Sequence, residues 1–290
     1  IREADREPSM EFFSIRHPDY EVLYPGADPI PVVVEVPHAG LWLDPQSLGT
    51  LAAPAYSIAQ DADLYVDELY ASAPRFGASL LIAHSSRYVC DLNRGVNDYD
   101  GLSVQGGGER PMPHGLIWRT TTEDRHALTR TLNRDELERR LTLFYKPYHA
   151  ALEELLSKTR ERFGWAILLS AHSMPSQGRL GHDDPGRRRA DVVTGTRGGT
   201  TAAARVRDAV EGEALLQGWS VAHDDPYRGG FTTAHYGNPS GNVHAIQVEL
   251  ARRLYMDEAS LEKKPDHFDN TQRFCGGLVE RLAALRLSGA

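Results

Sequence analysis

The chain has 290 residues, 41% of them apolar and 25% charged, the proportions of a soluble globular protein with a real core. Thirty-two Lys and Arg against 40 Asp and Glu leave a net charge of −8 with no long block of either sign, which argues against a nucleic-acid partner. No apolar run approaches the roughly 20 residues of a membrane span, the opening IREADREPSM has no signal-peptide core, and two cysteines, Cys90 and Cys275, are too few for a disulfide framework, so a reducing cytoplasm is the expected location.

Taken in chain order, apolar runs predict strands over 31–36, 79–84, 165–170, 191–195, 219–223 and 245–250. Several are continuously apolar, as in strands buried on both faces. Helices are predicted over 63–73, 134–162, 201–217 and 270–287. Asn133 with Glu136 three later reads as a capping box, and Pro147 should kink or split the helix it falls in. Strands alternating with helices predict a three-layer α/β/α fold around a mixed, mainly parallel sheet. One domain is expected, with residues 1–29 as an N-terminal extension and 30–287 as the core. The long loops 95–116 and 174–190 read as lids or disordered segments. Arg187 to Arg189, beside Asp183 and Asp184, read as a solvated loop rather than a phosphate site.

Ligands of open α/β sheets bind at the carboxyl ends of the strands, and the residues there are informative. The first predicted strand stops at Pro37-His38 and the third at His172. The second is followed by Arg87, Asn93 and Arg94, and the last carries Glu249. Two histidines and a carboxylate can hold zinc with a position left open for water. Asp61 and Asp63, in DAD, both offer that carboxylate. Bound water at such an ion has a pKa near 7, about right for a nucleophile at neutral pH. Glu249, a carboxylate in an apolar strand, could then take its proton and pass it to a leaving amine. Plainer readings exist: Asp61 as a helix N-cap, Glu249 as an ion-pair partner of Arg252 or Arg253, and Tyr227 and His235 as loop residues around a Gly-Gly turn.

The segments VPHAG, DADLYVDELY, SRYVCDLNR, RRLTLFYKPYHAAL, AHSM, PYRGGFTTAHYG and QVELARRLYMDE occur in an order and spacing that resemble the N-formylglutamate amidohydrolase family, over roughly residues 30 to 260. The resemblance implies a zinc carboxypeptidase-like hydrolase with one divalent ion, zinc. It makes His38 and His172 ligands, with Asp63 favoured over Asp61 as the third. Glu249 takes the catalytic place, and Asn93-Arg94 the pair that holds a substrate carboxylate. Arg87 becomes a second anion contact and His235 a further one. The implied reaction is hydrolysis of N-formyl-L-glutamate to formate and L-glutamate, in histidine degradation. The expected partner is that small anionic substrate, with no nucleic acid or membrane, in a monomer or small homo-oligomer. Leu64 stands where the family commonly has an aromatic. The alternatives are another N-acyl amino acid deacylase, a carboxypeptidase-like peptidase, or a metal-free dicarboxylate-binding protein.

Overall fold

The structure is a computed structural model that describes residues 13–26 and 28–287. The opening IREADREPSM lies outside the described residues. Along the chain come β1 (Ser14–Arg16), β2 (Tyr20–Leu23), β3 (Val32–Val36), α1 (Pro45–Leu48), α2 (Ala55–Asp61), α3 (Val66–Leu69) and β4 (Ser79–Ala83). Then follow α4 (Arg134–Arg140), α5 (Lys146–Phe163), β5 (Ala166–Met174), β6 (Val192–Gly195), α6 (Ala204–Leu216) and β7 (Val221–His223). The chain closes with α7 (Phe231–Tyr236), β8 (Val243–Ala251) and α8 (Pro265–Ala283).

All eight strands share one sheet, ordered β1-β2-β4-β3-β5-β8-β6-β7. The central β4-β3-β5-β8 pairings are parallel, while β1, β2 and the β6–β8 pairing are antiparallel. Strands β3 and β5 are buried at every position, which is why their runs of Val, Ile and Leu continue without polar alternation. Side chains alternate between two cores. Val32, Val34, Ile167 and Leu169 pack toward α3, α6 and α8, while Val33, Leu81 and Leu168 pack toward α5. Helices thus cover both faces, as the alternating sequence pattern predicts. Among the described residues no helix is long and apolar enough to cross a membrane.

Three boundaries differ from expectation. Part of the stretch assigned to an N-terminal extension belongs to the sheet: β1 and β2 form its edge, with β2 paired to β4. Both are short and half-exposed, so they carry little apolar signal. The helix predicted over 63–73 contracts to α3, because Tyr65 takes a left-handed backbone, φ 69°, that breaks it from α2. Strand β5 runs on to Met174, so His172 lies within the strand and not after it.

Asn133 caps α4 by accepting from the Glu136 N–H at 2.9 Å. The reciprocal half of the capping box is absent, because the Glu136 carboxylate is taken by Arg139 and Arg140, each at 2.8 Å. Pro147 does divide the helical stretch, with a π segment, Leu141–Tyr145, between α4 and α5. The wider turn accommodates a residue without an N–H in the first turn of α5. Arg140 is fully buried and donates to the Val89 carbonyl at 2.9 Å and the Thr50 hydroxyl at 2.7 Å. It therefore ties α4 to the segment after β4.

Arg140→Met leaves the Val89 carbonyl and Glu136 short of a buried donor, and should lower the unfolding free energy in urea by about 3 kcal/mol. The Glu136 carboxyl itself would be raised by burial, but the hydrogen bonds from Arg139 and Arg140 win and hold it at about 2 against an ordinary 4.5. A folded-state value below the unfolded one gives stability that is complete above pH 4.5 and lost as pH falls toward 2. The stability advantage of wild type over Glu136→Gln should therefore shrink through that window in acid titrations.

Candidate active site

His38 follows β3 after a single proline, and its carbonyl accepts from the Asp63 N–H at 3.0 Å, which draws the α2–α3 junction against the end of the sheet. Asp63 Oδ2 then lies 3.0 Å from His172 Nδ1 and 3.7 Å from His38 Nδ1. One ligand atom from each of these three buried residues falls within 4.8 Å of the others. Both imidazoles turn Nδ1 inward and have the far nitrogen occupied: His38 Nε2 donates to Asp91 at 2.9 Å, and His172 Nε2 lies 3.0 Å from the Ser170 hydroxyl. Such outer partners fix ring orientation and tautomer at metal sites. Two imidazoles, one carboxylate and satisfied outer nitrogens fit a divalent ion. Burial would raise the Asp63 carboxyl, yet hydrogen bonds from His172 and His38 outweigh it and hold the group well below the usual range.

Asp61 is elsewhere engaged. It ends α2, so it is not an N-cap. Its oxygens accept from the Tyr88 hydroxyl at 2.5 Å, the Thr122 N–H at 3.1 Å, Arg179 at 3.0 Å and the Thr122 hydroxyl. That saturated carboxylate joins three loops and has no lone pair to spare.

Glu249 lies directly across from His172 in the β5–β8 register, and Gln247 lies across from Ser170. Gln247 donates to Glu249 Oε1 at 2.8 Å, and Oε2 has no protein partner among the described residues. Neither candidate ion-pair partner reaches Glu249: Arg252 serves the Gln60 and Ala62 carbonyls and Asp63, and Arg253 pairs with Asp191. Burial raises the Glu249 carboxyl, only partly offset by His172.

These groups open on a cavity of about 290 Å³, near the small end for small-molecule sites. The loops expected as lids, 95–116 and 174–190, supply His114, Pro175, Arg179 and His182 to its walls, and Thr122 comes from beyond the first of them. Asn93 is buried and fully used, donating to Gln247 at 3.1 Å and accepting from the Thr232 N–H at 2.9 Å. A Cβ on Gly230 would come within 2.4 Å of the Asn93 amide, so that close approach requires glycine. Arg94 donates Nε to the His114 carbonyl at 2.8 Å and Nη1 to that of Asn93 at 3.3 Å, which leaves Nη2 for a ligand. Arg87 contacts His38 Nδ1 and donates to the Asp61 carbonyl at 3.1 Å.

His235 is not part of the cavity lining: it is exposed on α7 and stacked on Phe231, ring centroids 4.8 Å apart. Arg189 is likewise not solvated. It is buried, paired with Asp184 at 2.6 Å, and donates to the Tyr227 hydroxyl at 3.0 Å, whereas Arg187 stays exposed beside Asp225. Asp91, Ser170 and Arg228 also belong to the site or its supports, beyond the residues expected from the sequence. Asp91 carried one signal, a carboxylate two residues before Asn93-Arg94.

In titrations with added zinc, Asp61→Asn should bind the ion as wild type does while its melting temperature falls, and Asp91→Ala should bind it about 10- to 100-fold more weakly. Competition against a fluorescent chelator reads both affinities, and a large loss in Asp61→Asn would make Asp61 the candidate third ligand in place of Asp63.

The profile of the family described as N-formylglutamate amidohydrolase matches residues 30–256. An N-formylglutamate deformylase of Pseudomonas aeruginosa is 34% identical over 260 residues, 88% of this chain and 93% of that protein. One from Pseudomonas putida is 33% identical over 262 residues, again 88% and 93%. The crystal structure of N-formylglutamate amidohydrolase from Ralstonia eutropha JMP134 superposes with a TM-score of 0.82 at 33% identity, covering 91% of this chain and 97% of that one. The family match spans β3 to β8, the His-Asp-His cluster and Glu249, and the chain belongs to the N-formylglutamate amidohydrolase family.

Proposed function

We propose that this chain hydrolyses N-formyl-L-glutamate to formate and L-glutamate, with one zinc ion held by His38, Asp63 and His172. The observation that carries this reading is the pairing of His172 with Glu249 across β5 and β8. It sets a buried carboxylate with one free oxygen beside the ligand cluster. An ion held by His38, Asp63 and His172 would supply Lewis-acid polarisation of the amide and lower the pKa of water to about 7.

The remaining work falls to side chains. Gln247 pins Glu249 Oε1 and leaves Oε2 without a protein partner among the described residues, in a side chain that lines the cavity. Oε2 takes a proton from the attacking water as its oxygen bonds to the formyl carbon, then delivers that proton to the amide nitrogen as the C–N bond breaks. Burial, by lifting the Glu249 carboxyl, suits it to both halves of this transfer. Arg94 Nη2 holds a substrate carboxylate, and Asn93 keeps Gln247 and Thr232 in place. Arg87, at the His38 ring, adds positive charge on the same wall. A small cavity with several guanidinium groups in its walls suits a compact dianion better than a peptide. Cys90 and Cys275 are buried and unpaired, which supports a reducing, cytoplasmic setting.

Purified protein should carry one divalent ion per chain and lose formate release on chelation. Glu249→Gln should keep the ion and lose turnover by about 10²- to 10⁴-fold. Retained turnover in that variant would remove Glu249 from the mechanism.

A further inference from the structure

We infer that Arg228 binds the γ-carboxylate of the substrate and so sets its preference for an acidic side chain. The inference rests on the deformylase reading above and adds a residue to it. Among the described residues, five arginines line the cavity. Four have protein partners: Arg87 at His38 and the Asp61 carbonyl, Arg94 at two carbonyls, Arg179 at Asp61 and Thr122, and Arg252 at Asp63, Ser173 and two carbonyls. Arg228 lines the cavity and is exposed, and its side chain makes no hydrogen bond or ion pair among the described residues.

A partnerless arginine on a floppy loop would mean little, but the backbone here is held. The Arg228 carbonyl accepts from the Arg197 N–H at 2.8 Å, and the Gly230 N–H donates to Gln247 at 2.8 Å. Gly229, at φ 98°, passes so close to the end of β6 that a Cβ on Gly195 would lie 2.5 Å from its nitrogen. Gln247 also positions Glu249, so the Arg228 segment is tied through Gln247 to the catalytic carboxylate. A fixed backbone with an uncommitted fork is prepared for a bidentate partner that arrives from solution.

Depth decides which carboxylate that is. The His-Asp-His cluster and Glu249 are buried, Arg94 is half-buried and Arg228 is exposed. In N-formyl-glutamate the α-carboxylate hangs from the carbon bonded to the scissile nitrogen, whereas the γ-carboxylate is two methylenes farther out. With the formyl group at the cluster, the α-carboxylate falls at the depth of Arg94 and the γ-carboxylate reaches the mouth.

The test compares kcat/KM for N-formyl-L-glutamate and its neutral isostere N-formyl-L-glutamine, in the metal-loaded wild type and in Arg228→Gln. The wild type should favour the acid, and Arg228→Gln should reduce that ratio by about 10- to 100-fold, chiefly by lowering activity on the acid. Arg228→Lys should restore only part of it, since an ammonium lacks the planar fork. Equal losses on both substrates, or an unchanged ratio, would overturn the assignment. Should the wild type release formate from neither, the deformylase reading falls. Calorimetric binding of L-glutamate then decides Arg228 independently: binding lost in Arg228→Gln supports it, and binding retained refutes it.

Discussion

His172 and Glu249 face each other across the parallel pairing of β5 and β8, and the chemistry of the site depends on that register. Side chains alternate faces along a strand, so a one-residue slip would send Glu249 to the opposite core. Held in register, three neighbouring strands present a polar stripe on one face: Glu35 on β3, Ser170 and His172 on β5, Gln247 and Glu249 on β8. Each is buried, and buried polar groups are costly unless hydrogen-bonded. Most are answered locally: Tyr148 donates to Glu35 at 3.0 Å, Ser170 meets His172, and Gln247 meets Glu249. The opposite face of the same strands stays apolar against α6 and α8. One face of the sheet is thus core throughout, and the other carries both the second core and the polar floor of the site.

The arginines divide by depth and by the use of their donors. Arg140, Arg189 and Arg252 are buried and spend theirs on carbonyls and carboxylates that join loops to the sheet. Arg252 links the end of β8 to the α2–α3 junction, through the Gln60 and Ala62 carbonyls, and so steadies the backbone that carries Asp63. Arg94 keeps one nitrogen in reserve, and Arg228 keeps all of its own. Uncommitted guanidinium donors therefore belong to half-buried Arg94 and exposed Arg228. Donors so placed favour an acidic ligand over a neutral one.

Much of this was legible in the chain itself, and the gaps have physical causes. The central strands announced themselves because burial on both faces leaves continuous Val, Ile and Leu. His38, His172 and Glu249 stood out as polar residues at the ends of such runs or inside them. The choice between Asp61 and Asp63 was not readable from spacing, since both flank Ala62; it emerges only from what else each touches, Tyr88, Thr122 and Arg179 for one and two imidazoles for the other. Asp91 was hidden because its imidazole partner is remote in sequence, and a lone carboxylate in VCDLNR has no periodic signature. The break between α2 and α3 was equally silent, because a left-handed tyrosine leaves no compositional mark as a glycine would. His235 carries no signal of its own beyond the family resemblance, and in the structure it is exposed on α7 and stacked on Phe231.

The three residues of the ligand cluster come from segments far apart in the chain: the end of β3, the α2–α3 junction and the middle of β5. An unfolded polypeptide cannot bring them together, so a cation captured there binds the native state alone. By mass action its binding free energy adds to the stability of the whole sheet. The ion would then serve as a staple as well as a reagent, and metal-depleted protein would be both inactive and easier to unfold and degrade. Supply of the metal would in that way govern how long each molecule survives as well as how fast it works.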